Sequence, residues 1–268
     1  SPFAFTGNRF EFRAVGSSSS CAPPMITLNA SVAKQLRDFK VEVDTLINKG
    51  IKKDEAIFQV LKKYIVDSTP IRFEGDGYSK EWEEEAARRG LTNITSVPTS
   101  LSRYLSDSAK KVLIDGGIFS DRELDGRVEV EYEKFVKKVQ IEARVLGDLA
   151  INHIVPTGIQ YMTMLLQNVN ALKGVFSEIE FERLAGARKE LIVSLSDQIS
   201  LIKKLVQAMV EERKQANVIK NEIEKALAYE KNVKPYLGKI RYQIDKLELT
   251  VDNEMWPLPK YRELLFTR

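Results

Sequence analysis

Six aliphatic residues, Ile192, Leu195, Ile199, Ile202, Val206 and Met209, step along the chain by three, four, three, four and three positions. An α-helix brings such a series onto one side, and the alternation is the a/d pattern of a packed helical seam. The seam lasts nearly three heptads. That is too short for a free-standing rod and right for one helix of an antiparallel bundle. The surrounding text agrees, since beyond Pro156 the chain is rich in Leu, Ile, Lys, Glu and Gln and poor in Gly and Pro. Further helices are predicted around 218–233 and 236–250, and the seam is expected to face inward against those around 158–172 and 236–250. Lys203, Lys204, Glu211 and Glu212 fall off the seam and are expected in solvent. Trp256-Pro257-Leu258-Pro259 ends the regular structure, because two prolines two apart do not sit inside a helix.

The first half reads differently. Pro24 suits a first helical turn, and Ile26, Leu28, Val32, Leu36, Phe39, Val43, Leu46 and Ile47 then recur at helical spacing until Gly50. A second helix is expected from Lys53 to Val66, followed by an extended segment from Pro70 to Tyr78. Asp76-Gly77 marks a tight turn in that segment, and Ser79 is placed to cap a helix ending at Gly90. From Pro98 onward the text is helical. Ser120 opens a long segment reaching about Ile154, where Pro156 should force a break or kink. A boundary near 145–155 divides a mixed region, 1–145, from a helical bundle, 146–268.

Bulk properties exclude several classes. Lys and Arg number 41 against 38 Asp and Glu, a net charge of +3 that makes no case for nucleic acid or an acidic membrane surface. No run approaches eighteen consecutive apolar residues, so no membrane span is expected. A single cysteine, Cys21, excludes an intramolecular disulfide and a multi-cysteine metal site, and fits a reducing cytoplasm.

The chain opens on Ser1-Pro-Phe-Ala-Phe-Thr-Gly-Asn-Arg-Phe-Glu-Phe-Arg13, which reads as a strand. Arg9, Glu11 and Arg13 fall at period two and share one face, with Phe10 and Phe12 on the other. A carboxylate there can ligate a hard metal, and two guanidiniums can grip oxyanions. The bland alternative is a weak, exposed ion-pair row.

These residues resemble the late active-site strand of glutamine synthetase, in its long type III form. The resemblance continues through Ile71-Arg-Phe-Glu-Gly-Asp-Gly-Tyr-Ser79, Arg89-Gly-Leu91, Glu131-Tyr132, Arg144-Val-Leu-Gly-Asp148, Asn152-His-Ile-Val-Pro156 and the tail from Trp256 to Arg268. It implies an α+β parent fold with residues 1–145 as the end of the catalytic domain and 146–268 as a helical C-terminal bundle with a docking tail. It implies the ligation of ammonia to glutamate with ATP, through a γ-glutamyl phosphate and with Mg²⁺ or Mn²⁺. It implies stacked rings forming a dodecamer, with sites completed between subunits. By the same resemblance Glu11 matches a metal-ligating carboxylate. Arg9 matches an arginine facing the nucleotide phosphates, and Arg13 one facing glutamate and the transferred phosphoryl group. A domain rarely starts within a formed strand, so the chain reads as an incomplete C-terminal portion, inactive alone.

Other candidates read as structural. Gly16 to Pro24 lacks the spacing of a mononucleotide or dinucleotide loop and departs from the sequence that follows this strand in the commoner bacterial glutamine synthetases, so it reads as a linker. Glu74 and Asp76 flank a glycine, which suits a turn and falls short of a calcium loop. His153 has no second His or Cys to build a zinc site, and Cys21 has no nearby base. The aromatic tail (Trp256, Tyr261, Phe266) reads as a docking element packed on this chain or on a neighbour. Two rival readings stand beside the synthetase: a non-catalytic helical scaffold assembling through the seam, and a different carboxylate–amine ligase of the same superfamily.

Overall fold

The computed structural model describes all residues except 1, 2, 14, 15, 17, 18, 267 and 268. The chain is mostly helical with one small sheet, and it separates into two compact units, Ser1–Val128 and Glu129–Arg268.

In the first unit the opening segment is a hairpin where one strand was expected. Strands β1 (Phe3–Phe5) and β2 (Phe10–Phe12) pair antiparallel, with Ala4 opposite Glu11 and Phe5 opposite Phe10. The turn between them places Gly7 at φ 102°, a left-handed conformation that glycine adopts without strain, and the Thr6 N–H donates to the Arg9 carbonyl at 2.9 Å. Helix α1 (Ala22–Asn48) starts with prolines in its first turn and stops at Gly50. Helix α2 (Lys53–Asp67) folds back against it, and Val43, Ala56 and Val60 pack with Phe39, Leu46 and Tyr64 around them. The extended segment expected from Pro70 to Tyr78 forms no strand. A single 3₁₀ turn, Thr69–Ile71, leads into irregular chain up to α3 (Lys80–Arg88). Two contacts account for that. The Arg89 guanidinium donates to the carbonyls of Pro70 (3.2 Å) and Arg72 (2.6 Å), and Phe73 stacks on Trp82 at 4.4 Å. The carbonyl groups a ladder would need are thereby taken by a side chain. Ser79 does cap α3, accepting from the Trp82 N–H. Helices α4 (Val97–Ser102) and α5 (Asp107–Leu113) follow, and a second small core gathers Ala30, Leu113 and Leu124.

Helix α6 (Asp121–Leu149) begins as predicted at Ser120. That hydroxyl accepts from the Glu123 N–H while the Glu123 carboxylate accepts from Ser120, a capping box. The helix runs across the division between the units, and the second unit is built from its continuation. Pro156 does not break it. A π-helical turn, Ala150–Ile154, carries the chain into α7 (Val155–Val175). Helix α8 (Glu178–Asn217) opens on another capping box, Ser177 with Glu180. Helix α9 (Glu222–Ala228) then passes through a second π turn, Tyr229–Val233, into α10 (Lys234–Thr250), so the interruption expected between 233 and 236 is also absent. In both places the carbonyl that the proline ring would strike four residues back, Asn152 for Pro156 and Lys231 for Pro235, lies inside the π turn. Bonds there reach one residue further, and the α geometry that makes proline clash is not imposed.

The long helix α8 packs between α7 and α10. Leu195, Ile199, Ile202, Val206 and Met209 are buried as the seam predicts, while Ile192 at its start is half-buried. Lys203, Lys204 and Glu211 are exposed; Glu212 is half-buried rather than solvated. Close approach to α7 uses Gly158, where an added Cβ would lie 3.2 Å from Ile199 Cδ1. Regular structure resumes after the prolines as a last short helix, α11 (Tyr261–Leu264).

Candidate functional site

The three residues singled out from the opening segment are brought together. Strand β2 holds Glu11, with Arg9 and Arg13 flanking it on the same face. Arg13 Nε and Nη2 both donate to Glu11 Oε2, at 3.3 and 3.0 Å, and Arg9 Nη2 lies 3.7 Å from Glu11 Oε1. Side-chain exposures of 74% for Arg9 and 54% for Arg13 show that water reaches both cations. Exposed pairs of this kind contribute little to folding, about 0–1 kcal/mol, so the cluster does not hold the hairpin together. Nor does the aromatic side explain it, since Phe5 and Phe10 meet at 5.1 Å but are themselves largely exposed.

Chemically, the cluster offers two guanidiniums to an oxyanion and one carboxylate between them. Glu11 accepts from Arg13 on Oε2 while its Oε1 lies 3.7 Å from Arg9 Nη2, so the carboxylate keeps lone pairs that a cation could use. Among the described residues no group of three or more His, Cys, Asp and Glu is arranged to hold a metal ion. A Mg²⁺ or Mn²⁺ ion requires several oxygen donors in fixed geometry, and the described side chains do not by themselves supply such a set.

The remaining candidates fall elsewhere. Asp76 Oδ1 accepts from the Tyr78 N–H at 2.9 Å, a local turn, and Glu74 beside it is exposed. His153 is an exposed member of the first π turn, where its carbonyl accepts from the Thr157 hydroxyl at 2.9 Å. Cys21 is exposed at the start of α1; the linker before it lies partly outside the described residues. In the tail Trp256 is buried, and Lys260 donates to the Glu248 carbonyl near the end of α10 at 2.8 Å and to Asn253. The Tyr261 side chain lies outside the described residues, and Phe266 is exposed.

One arrangement that the spacing of residues does not reveal surrounds Glu85. Arg88 Nε and Nη2 donate to it at 2.7 and 2.6 Å, and Arg89 also donates to it. Arg88 first and Arg89 second hold its carboxyl well down, at about 2. Arg89 enters the sequence reading only within the Arg89-Gly-Leu91 resemblance. Its tie to the chain at 70–72 depends on a tertiary path that no local pattern encodes.

Residues 56–173 match the family described as the glutamine synthetase C-terminal domain. The whole chain aligns at 59% identity with a glutamine synthetase of Bacteroides fragilis, covering 37% of that protein. Along its whole length the chain is similar to part of a glutamine synthetase. It aligns over its whole length at 32% identity with the type-3 glutamine synthetase of Dictyostelium discoideum (36% of that protein) and at 29% with a glutamine synthetase of Butyrivibrio fibrisolvens (37%). The chain thus spans just over a third of the length of the curated relatives it matches. Arg9, Glu11 and Arg13 precede the stretch matched by the family model and lie within the full-length alignments. Among the described residues no helix is long and apolar enough to cross a membrane.

Proposed function

We propose that this chain is the C-terminal portion of an enzyme that ligates ammonia to glutamate at the expense of ATP, through a γ-glutamyl phosphate. The strongest support is the 59% identity to a glutamine synthetase across the whole of this chain. In this reading residues 1–145 end an α+β catalytic domain and 146–268 form its helical C-terminal bundle. Arg13 faces glutamate and the phosphoryl group in transfer, and its planar fork can grip two oxygens at once. Arg9 faces the nucleotide phosphates. Glu11 contributes one ligand to a Mg²⁺ or Mn²⁺ ion, which when bound neutralises phosphate charge. The ion's other ligands are supplied from outside this chain. The enzyme works in the cytoplasm as a dodecamer of stacked rings with sites shared between neighbouring subunits.

The scaffold reading is not favoured. It needs the seam of α8 free for assembly, and Leu195, Ile202 and Met209 are almost wholly buried within their own unit. Replacement tests the synthetase reading directly. In the full-length protein, Glu11→Ala should lose ATP-dependent glutamine formation while the assembly stays intact by sedimentation. The loss expected for a cation ligand is on the order of several kcal/mol of transition-state stabilisation. Wild-type activity in the assembled variant would overturn the assignment.

A further inference from the structure

Helix α2 is apolar over far more of its surface than α1 covers. At 100° per residue, Ala56, Val60, Tyr64, Ile57, Leu61, Ile65 and Phe58 follow one another around an arc of roughly 200°, about twice the width a helix with one partner needs. The inner half of the arc is used: Ala56 and Val60 are buried against α1, with Ile57 and Tyr64 packed beside them. The outer half is not. Phe58, Leu61 and Ile65, spaced by three and four, are 61%, 45% and 56% exposed. Such a stripe is the mark of a second helix-packing face.

We infer that this outer face of α2 is a docking surface for the part of the parent polypeptide lying outside this chain. The inference rests on the reading that the chain belongs to a longer synthetase. Its relatives hold nearly two thirds of their length beyond the aligned portion, ample chain to cover a stripe of three residues. An apolar stripe of this size left in water would be a liability in a protein of near-neutral net charge, +3 over this chain.

Thiol protection in the full-length protein tests it. A Phe58→Cys variant is treated with iodoacetamide, with the adduct at that position quantified by mass spectrometry, in native buffer and in urea. Labelling should be at least about a hundredfold slower in the native protein, as for a group reached only by local opening. A Leu61→Cys variant gives the same readout should the first misfold. A native rate within about threefold of the urea rate would overturn the inference. So would protection that disappears when the protein is diluted to single subunits, because the occupant would then be a second copy. Glutamine formation measured on the unsubstituted protein separates the two readings. Rapid labelling with normal synthesis sinks the docking surface alone, and protection without synthesis sinks the proposed reaction alone.

Discussion

Glu85 shows how one residue sets the order of a neighbouring segment. Its carboxylate orients Arg88 and Arg89, and Arg89 in turn holds the carbonyls of Pro70 and Arg72. The carboxyl is lowered in the folded chain, from an ordinary 4.5 to about 2. A lowered group contributes its full stabilisation above its ordinary value and loses it as pH falls through the folded one. With Trp256 replaced by Phe, so that Trp82 reports alone, fluorescence of the Phe73–Trp82 stack should therefore persist to about pH 3 and change below it. In Glu85→Gln the altered signal should already be present at pH 7; a wild-type spectrum there would remove Glu85 from this role. Gly158 makes the complementary point for packing. A Leu at this position would drive into Ile199, and overpacking of this kind costs about 1–3 kcal/mol, visible as a lowered midpoint in thermal unfolding. An unchanged midpoint would mean that α7 and α8 lie further apart than described.

Elements differ in how plainly the sequence announces them. The seam of α8 was legible because three-and-four spacing survives any detail of packing, and the starts of α3 and α6 were legible because Ser79 and Ser120 cap by local hydrogen bonds. The hairpin was obscured by its brevity, with three residues in each strand, although Thr6-Gly7-Asn8 is a turn signal. The segment 70–78 pairs into no strand because its β-like residues are held by Trp82 and Arg89, in and just after the next helix. Of the candidate site, the shared face of Arg9, Glu11 and Arg13 followed from period two. The seam also supplies a sharp test. Ile199 is 8% exposed and faces α7, so Ile199→Asp places a charge in an apolar interface and should unfold the second unit, as read by loss of helical circular dichroism. Lys204→Asp, on the exposed side of the same helix, should leave the signal within about 0.5 kcal/mol of wild type. Equal effects from the two changes would contradict the orientation of α8.

At the scale of the whole molecule, neither of the two units carries a complete set of ligands for a divalent ion among its described residues. The 268-residue chain, supplied with ATP, Mg²⁺, glutamate and ammonia, should form no glutamine above background; synthesis by a preparation free of host enzyme would show that the chain suffices. The second unit has a further property, which lies in its two π turns. A turn that reaches one residue further than an α turn is, to the rest of the helix, a residue inserted. Each insertion advances everything after it by about 100° around the axis. The turns stand immediately before α7 and α10, the two helices that flank α8. The turns therefore set the rotational phase of the helices that follow them. Exchanging a side chain such as Ile151 leaves that phase alone, whereas deleting the residue would swing Thr157 and Gly158 away from α8. The bundle is thus far more sensitive to the count of residues in these turns than to which residues they are.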